Sequence, residues 1–366
     1  MKMDKTETTS AEQFSQPRLR EPRIWASVIR GLILPMEELQ LAPHELLAEC
    51  DISPDALEKM QRSVPIRKYL QFLNLAAERA DQPLIGLHLS RSAGPEMLGV
   101  LGFLFMSSQT LATALSQFCS YINLLQDVTH TRLSQDSEHL AFSYDIAPIE
   151  GQSSRVDVEF SLALMCRLIR MYAGSSISIE CVRFRHAPAA PKSEYQRLMR
   201  TDVSFEQAEN VLVLPASASQ IKGHQFNPEL ANVLIEMLDE QLARQSQVKS
   251  LAEQVYDELF FVKEMSPPPA RMLATSLGVS EATFHRRLRR EGTSFGEIVD
   301  RRRFELAKEY LADQSLETTR IAHLIGFSES ASFTRAFRRW SDGQTPTSFR
   351  NAIRKAKDAG RRRDRP

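Results

Sequence analysis

Ile321-Ala322-His323-Leu324-Ile325-Gly326-Phe327-Ser328, followed by Glu329-Ser330-Ala331-Ser332-Phe333-Thr334-Arg335-Ala336-Phe337-Arg338-Arg339-Trp340, is the stretch on which the reading of this chain turns. Upstream, Leu273-Ala274-Thr275-Ser276-Leu277-Gly278-Val279-Ser280 and then Glu281-Ala282-Thr283-Phe284-His285-Arg286-Arg287-Leu288-Arg289-Arg290 repeat its layout. In each, a small Ala on a short helix stands four residues before a Gly suited to a tight turn. A Ser then serves as N-cap, and a basic amphipathic helix follows. This is the layout of a helix-turn-helix, whose second helix enters the DNA major groove. The turn glycines lie 48 residues apart, so two such readers are expected in one chain.

The faces of the two second helices divide by spacing. Phe284 and Leu288 fall four apart and are expected to pack inward with Leu273 and Leu277. That leaves Glu281, Ala282, His285, Arg286 and Arg289 on the opposite face. Residues near the start of a recognition helix reach base edges, and later ones meet phosphates. Ala282, His285 and Arg286 are therefore expected at bases, with the Arg286 guanidinium able to fork onto a guanine. Arg287, Arg289 and Arg290 are expected at phosphates or in solvent. In the second unit Phe327, Phe333 and Phe337 are core, and Ser330, Ala331, Thr334 and Arg335 face outward, with Ser332 and Arg338 suited to phosphates. Arg335 is the natural base reader, and a phosphate clamp is the other role open to it. Between the units, Ser294 and Glu297 form a capping box that opens a long helix with Phe295, Val299, Leu306, Tyr310 and Leu311 on its apolar side. One rigid helix fixes the separation of the readers. Readers on one side of a duplex need centres about 34 Å apart, so the expected target is two major-groove elements on one side of double-stranded DNA.

The net charge of zero conceals an asymmetry. Residues 266–366 carry 21 Lys+Arg and 12 Asp+Glu, a balance of +9, and the rest of the chain is −9. A basic C-terminal third on an acidic body suits a nucleic-acid surface, since phosphate neutralisation supplies much of the affinity. With 366 residues, 42% of them apolar and 25% charged, the chain has the composition of a two-domain globular protein. Cys50, Cys119, Cys166 and Cys181 are widely spaced, without a C-x-x-C pair. That argues against a zinc site or a disulfide framework and fits a reducing cytoplasm. The polar start, Met1–Gln16, lacks the apolar centre of a signal peptide, and the longest apolar stretch, around Leu98–Met106, is too short to span a membrane.

Four segments are expected. Residues 1–22, with Pro17 and Pro22, form a flexible arm. Residues 23–245 form an α+β regulatory domain, helical from Ile24 to about Asp127. A hairpin at Val128–Leu133 and Leu140–Ile146 follows, then a helix at Ser154–Tyr172 and strands at Ile177–Phe184, Val203–Phe205 and Val211–Leu214, with a short helix at Ser193–Arg200 between. Its last helix runs from Asn227-Pro228 to about Gln245 with Leu230, Val233-Leu234, Met237-Leu238 and Leu242 near heptad spacing. That stripe is either internal core or a homodimer seam across 228–245. Gln245-Ser246-Gln247 reads as a linker to an all-α DNA-binding domain, 246–353, and a basic tail covers 354–366.

Gly326-Phe327-Ser328, the run Ser332 to Trp340, Thr345-Pro346 and Phe349-Arg350 resemble the C-terminal signature of the AraC/XylS family of bacterial transcription regulators. The likeness covers roughly residues 250–352. Gly99-Val100-Leu101-Gly102 and Val182-Arg183-Phe184-Arg185-His186 are similar to the arabinose-binding-type regulatory domain of the ornithine-utilisation-regulator branch, which implies no bound arabinose. The resemblance implies transcription activation, less often repression, on promoter DNA, with RNA polymerase as a partner. It also implies a regulatory domain that binds a small-molecule effector or dimerises.

Two other readings stand beside this one. A DNA-binding regulator controlled by its abundance or by a protein partner needs no ligand. An enzyme fused to the DNA-binding unit, such as an alkyl-transfer repair protein, needs an activated Cys in a Pro-Cys-His-Arg-like setting, and none of the four cysteines has one. No phosphate-binding Gly loop, H-E-x-x-H or G-x-S-x-G appears. No catalytic residue, metal or cofactor is therefore expected. Arg183, Arg185 and His186 are candidates for an anionic ligand or for surface salt bridges.

Overall fold

The computed structural model describes residues 21–58, 62–149, 151–174, 177–248, 250–260, 267–312 and 316–353. The expected arm at 1–20 and the basic tail at 354–366 lie outside the described residues. The chain divides into two compact units at Val248/Lys249, each with its own hydrophobic core.

The N-terminal unit opens with β1 (Arg23–Trp25), α1 (Ala26–Glu38), α2 (Pro43–Glu49), α3 (Pro54–Glu58), β2 (Ser63–Pro65), α4 (Ile66–Arg79) and α5 (Ile85–Leu89). A 3-10 turn at Pro95–Leu98 leads to α6 (Val100–Ser107) and α7 (Leu111–Leu125). Thr110 caps α7, its hydroxyl accepting from Thr113 N at 3.2 Å, as its sequence position predicts. Gly99 sits at φ +56°, and a Cβ on Gly102 would fall 1.9 Å from Pro95 O, so this Gly-x-x-Gly corner is closed to larger residues. The pairing of β1 with β2 was invisible to periodicity. Each strand has three residues, and the partners lie forty residues apart inside a helical pattern (Ile24 opposite Val64).

The sheet follows: β3 (Thr129–Gln135), β4 (His139–Ile146), α8 (Arg155–Ala173), β5 (Cys181–Arg183), α9 (Lys192–Met199), β6 (Asp202–Ser204) and β7 (Val211–Pro215). The strand order is β3-β4-β7-β5-β6, antiparallel except for β5 beside β6. The predicted hairpin is β3–β4, and Asp136 ties its turn by accepting from Glu138 N and His139 N, both at 2.8 Å. Leu140, Phe142, Tyr144 and Ile146 alternate inward along β4 towards α8. The strand expected over Ile177–Phe184 shrinks to Cys181–Arg183, because its partners β6 and β7 pair only with those residues.

Helix α10 (Pro228–Val248) closes the unit. It runs through the segment read as a linker, since Gln245-Ser246-Gln247 contains neither Gly nor Pro to stop it. Its stripe splits. Leu234 and Leu238 are buried against the core, whereas Leu230, Val233 and Met237 are exposed.

The C-terminal unit is α-helical throughout: α11 (Leu251–Phe260), α12 (Ala270–Ser276), α13 (Glu281–Arg290), α14 (Phe295–Ala312), α15 (Thr318–Leu324) and α16 (Ser330–Trp340), with helical residues again at 346–353. Helix α14 packs on α11, α15 and α16, so it is the shared wall of the unit. The capping box holds it: Ser294 N donates to Glu297 Oε2 at 2.7 Å, and Glu297 N to Ser294 Oγ at 3.3 Å. A second box, Ser250 with Glu253, opens α11, and the Glu291 carboxylate adds bonds to Leu251 N (3.0 Å) and Ala252 N (2.8 Å). Four otherwise orphaned donors of that helix are thus engaged or sheltered at one end. Arg302, buried in α14, approaches Glu305 Oε2 at 3.8 Å, and Tyr256 of α11 donates to the same oxygen. Burial and that carboxylate push the Tyr256 phenol well up.

Candidate nucleic-acid interface

The two turns are built identically. In the first, Gly278 at φ +69° donates to Thr275 O (3.1 Å) while Val279 N donates to Ala274 O (2.9 Å). In the second, Gly326 at φ +82° donates to His323 O (3.0 Å) while Phe327 N donates to Ala322 O (2.9 Å). Both are Schellman caps, with an Ala carbonyl receiving the outer bond and a Gly in the left-handed region. The spacing from Ala to Gly in the sequence is the footprint of this cap. The turn then needs an apolar residue to close it, which Val279 and Phe327 supply against the shared core.

On α13 Phe284 and Leu288 are fully buried, as predicted, with Leu273 beside them and Leu277 partly buried. Glu281, Ala282, Arg286 and Arg289 are exposed and His285 is half-buried. The structure brings Ala282, His285 and Arg289 together with Ser294 around one surface depression. Ser294 was read only as a cap, and nothing in its local sequence marks it as part of that surface. The Ser280 hydroxyl caps α13 by accepting from Thr283 N at 3.3 Å. Arg286 reaches back to Thr283 Oγ1 at 3.4 Å, and Arg289 Nε donates to His285 O at 3.3 Å.

On α16 Phe333 and Phe337 are fully buried, and Phe327 is partly buried against Phe333 and Trp340. Ala331, Arg335 and Arg338 are exposed, while Ser330, Ser332 and Thr334 are half-buried. Arg335 donates to Ser332 Oγ at 3.0 Å, and the Thr334 hydroxyl turns back onto Ser330 O at 2.9 Å. One expectation fails here. Ser328 is not the N-cap; Glu329 occupies that position and makes no side-chain cap bond. Arg339, left unassigned by the sequence, pairs with Asp300 of α14 at 2.7 Å and ties the reader to the wall.

Residues 41–221 match the family described as the arabinose-binding domain of AraC transcription regulators, N-terminal, and residues 273–352 match a helix-turn-helix domain family. The chain belongs to the AraC family. This is a DNA-binding transcription regulator of bacterial type, with a regulatory unit ahead of its helix-turn-helix unit. It is 25% identical to the HTH-type transcriptional regulator VirS of Mycobacterium tuberculosis over 330 residues, covering 86% of this chain and 92% of VirS. It is 24% identical to the ornithine utilization regulator of Pseudomonas aeruginosa over 332 residues, covering 90% and 96% of the two chains. Among solved structures, the transcriptional regulator CdpR of Pseudomonas aeruginosa aligns with 84% of the chain and 96% of its own at 20% identity, with a TM-score of 0.43.

The remaining candidates of the AraC-family chain do not converge. Arg185 pairs with Asp145 at 2.8 Å, His186 sits 3.5 Å from the buried Glu159, and Arg183 is exposed. Cys50 and Cys166 are buried and Cys119 and Cys181 partly so; burial pushes the Cys119 thiol up to about 11 and that of Cys166 up to about 12. Among the described residues no helix is long and apolar enough to cross a membrane.

Proposed function

We propose that this regulator acts chiefly as an activator. In this reading it binds two neighbouring major-groove elements on one side of promoter DNA under control of a small-molecule effector held by its N-terminal unit. The observation that carries the reading is the pair of identically capped turn-helix units sharing one core, each turning a basic face to solvent. Ala282, His285 and Arg286 read bases from α13, and Ser330, Ala331, Thr334 and Arg335 read them from α16. Glu281 borders the first set, and Arg289, Ser332 and Arg338 meet phosphates. An activator hands this placement on to RNA polymerase, and its work is binding in the cytoplasm rather than catalysis. A homodimer across 228–245 uses the exposed half of the α10 stripe, Leu230, Val233 and Met237, since Leu234 and Leu238 are spent on the core.

The test is a mobility-shift titration of the full-length protein on the DNA flanking its gene at about 0.15 M salt, against a scrambled duplex. The expected preference is at least about a thousandfold, and it changes when the effector is added. Equal affinity for both duplexes overturns sequence reading. Affinity that no metabolite alters favours control by abundance or by a protein partner.

A further inference from the structure

Helix α14 is the wall shared by the two readers, yet its first turn holds a glycine that the wall does not need. Each of the other described glycines has a reason inside the chain. Either it takes φ between +56° and +92°, or a Cβ there would fall within 3 Å of another atom. Gly296 meets neither condition. It has no positive φ, it is exposed, and the nearest atom to its missing Cβ is Ser294 Oγ at 4.0 Å. Glycine in a helix is less stable than alanine, and its other use is to let a ligand come close to the backbone.

The surroundings name the ligand. Ser294, two residues before Gly296, lines one surface depression with Ala282, His285 and Arg289 of α13. Arg289 reaches His285 O through Nε at 3.3 Å, which leaves Nη1 and Nη2 without an acceptor among the described residues. The Ser294 hydroxyl accepts from Glu297 N at 3.3 Å and gives its own proton to no group among the described residues. Glu297 is turned back onto Ser294 N (2.7 Å) and Thr293 Oγ1 (3.2 Å) and does not line the depression. A guanidinium and a hydroxyl with unengaged donors, beside a bare Cα, fit a phosphate.

We propose that the DNA backbone crosses the start of α14, with one phosphate seated between Arg289 and Ser294 and packed on the Cα of Gly296. The inference rests on the DNA-binding reading above and adds α14 to the two readers as a third point of contact. Ala282 and His285, expected at bases, line the same depression. The seat therefore sets how α13 enters the groove, since phosphate contacts position a reader and base contacts specify. A side chain at position 296 lifts the strand off Arg289 without changing any charge on the protein.

The test titrates the full-length protein, as wild type, Gly296→Met and Arg289→Gln, on the duplex flanking its gene at several salt concentrations. Gly296→Met is expected to bind about tenfold more weakly and to lower the salt slope by about 1, the loss of one phosphate contact. Its Tm holds or rises, because methionine favours helix over glycine. Arg289→Gln lowers the slope by the same amount, and the double variant lowers it no further, since both changes remove one contact. Unchanged affinity and slope in Gly296→Met overturn the seat, and so does a double variant whose losses add in full. Should Gly296→Met lower Tm, Gly296→Ala, which adds only a Cβ, decides on the same two readouts with a smaller loss in the same direction. Wild type that prefers this duplex no more than a scrambled one fails the sequence reading above, and the slopes on the scrambled duplex then decide the seat.

Discussion

The two helix-turn-helix units use one turn and two different ways of holding the helix behind it. Helix α13 starts from a hydroxyl cap at Ser280 and seats Phe284 and Leu288 against a mostly aliphatic surround, with ring contacts from Phe284 to Phe295 and to the adjacent His285. Helix α16 starts without a side-chain cap. It is held instead by an aromatic cluster in which Phe337 meets Phe304, Phe333 and Phe349 with ring centroids 5.3–5.7 Å apart, and by the Arg339–Asp300 pair. The base-reading arginines are held alike: Arg286 reaches back to Thr283 Oγ1 at 3.4 Å and Arg335 to Ser332 Oγ at 3.0 Å, each three residues upstream. The difference lies in the support, since Arg339 is committed to Asp300 of α14, whereas no ion pair among the described residues engages Arg286, Arg287, Arg289 or Arg290. The second unit therefore carries its reader on the stiffer support.

The largest expected effect tests the support. Phe337→Ala empties a fully buried site and is expected to cost about 3–5 kcal/mol, aromatic pairing adding to lost burial. Leu288→Ala, its counterpart in the first unit, is expected to cost less, at the lower part of about 2–5 kcal/mol. Denaturant unfolding followed by Trp340 fluorescence in a Trp25→Phe background reads the difference. Equal losses would mean that the aromatic cluster contributes nothing beyond its area.

The next effect tests the readers. Arg335→Ala is expected to cost about 1–3 kcal/mol and to relax preference at a single base position. Arg287→Ala is expected to weaken all duplexes alike and to lower the salt slope of binding by about 1. A selection over randomised duplexes, repeated at two salt concentrations, separates the two behaviours. If Arg335→Ala behaves like Arg287→Ala, the guanidinium is a phosphate clamp and the second unit reads bases without it.

How much of this was legible follows from how local each cause is. The Schellman turns were, because Ala274–Gly278 and Ala322–Gly326 write their hydrogen bonds into a four-residue spacing. So were the inward faces of α13 and α16, and the capping box at Ser294, all set within a few residues. The β1–β2 pairing, the Arg339–Asp300 pair and the Glu291 cap on α11 were not, since each joins residues about forty apart with no pattern at either end. The buried acids of α8 left a faint mark: two carboxylates, Asp157 and Glu159, inside Val156–Phe160 have to be satisfied by something. Only the fold says that Tyr69 and Tyr144 do it for Asp157, and Arg155 and Tyr195 for Glu159.

The smallest effect bears on the one position where sequence and structure disagree inside the motif itself. Both units carry a Ser two residues after the turn glycine, so symmetry of sequence assigns both as caps. In the first, Ser280 bonds Thr283 N; in the second, α16 starts two residues after Ser328, behind Glu329. Ser280→Ala is therefore expected to cost about 1 kcal/mol, and Ser328→Ala to stay within about 0.5 kcal/mol, as an exposed residue without a bonded partner does. The same fluorescence-detected unfolding measures both. A loss at Ser328 matching that at Ser280 would show that α16 is capped in solution as α13 is, leaving the aromatic cluster as the remaining difference between the two readers.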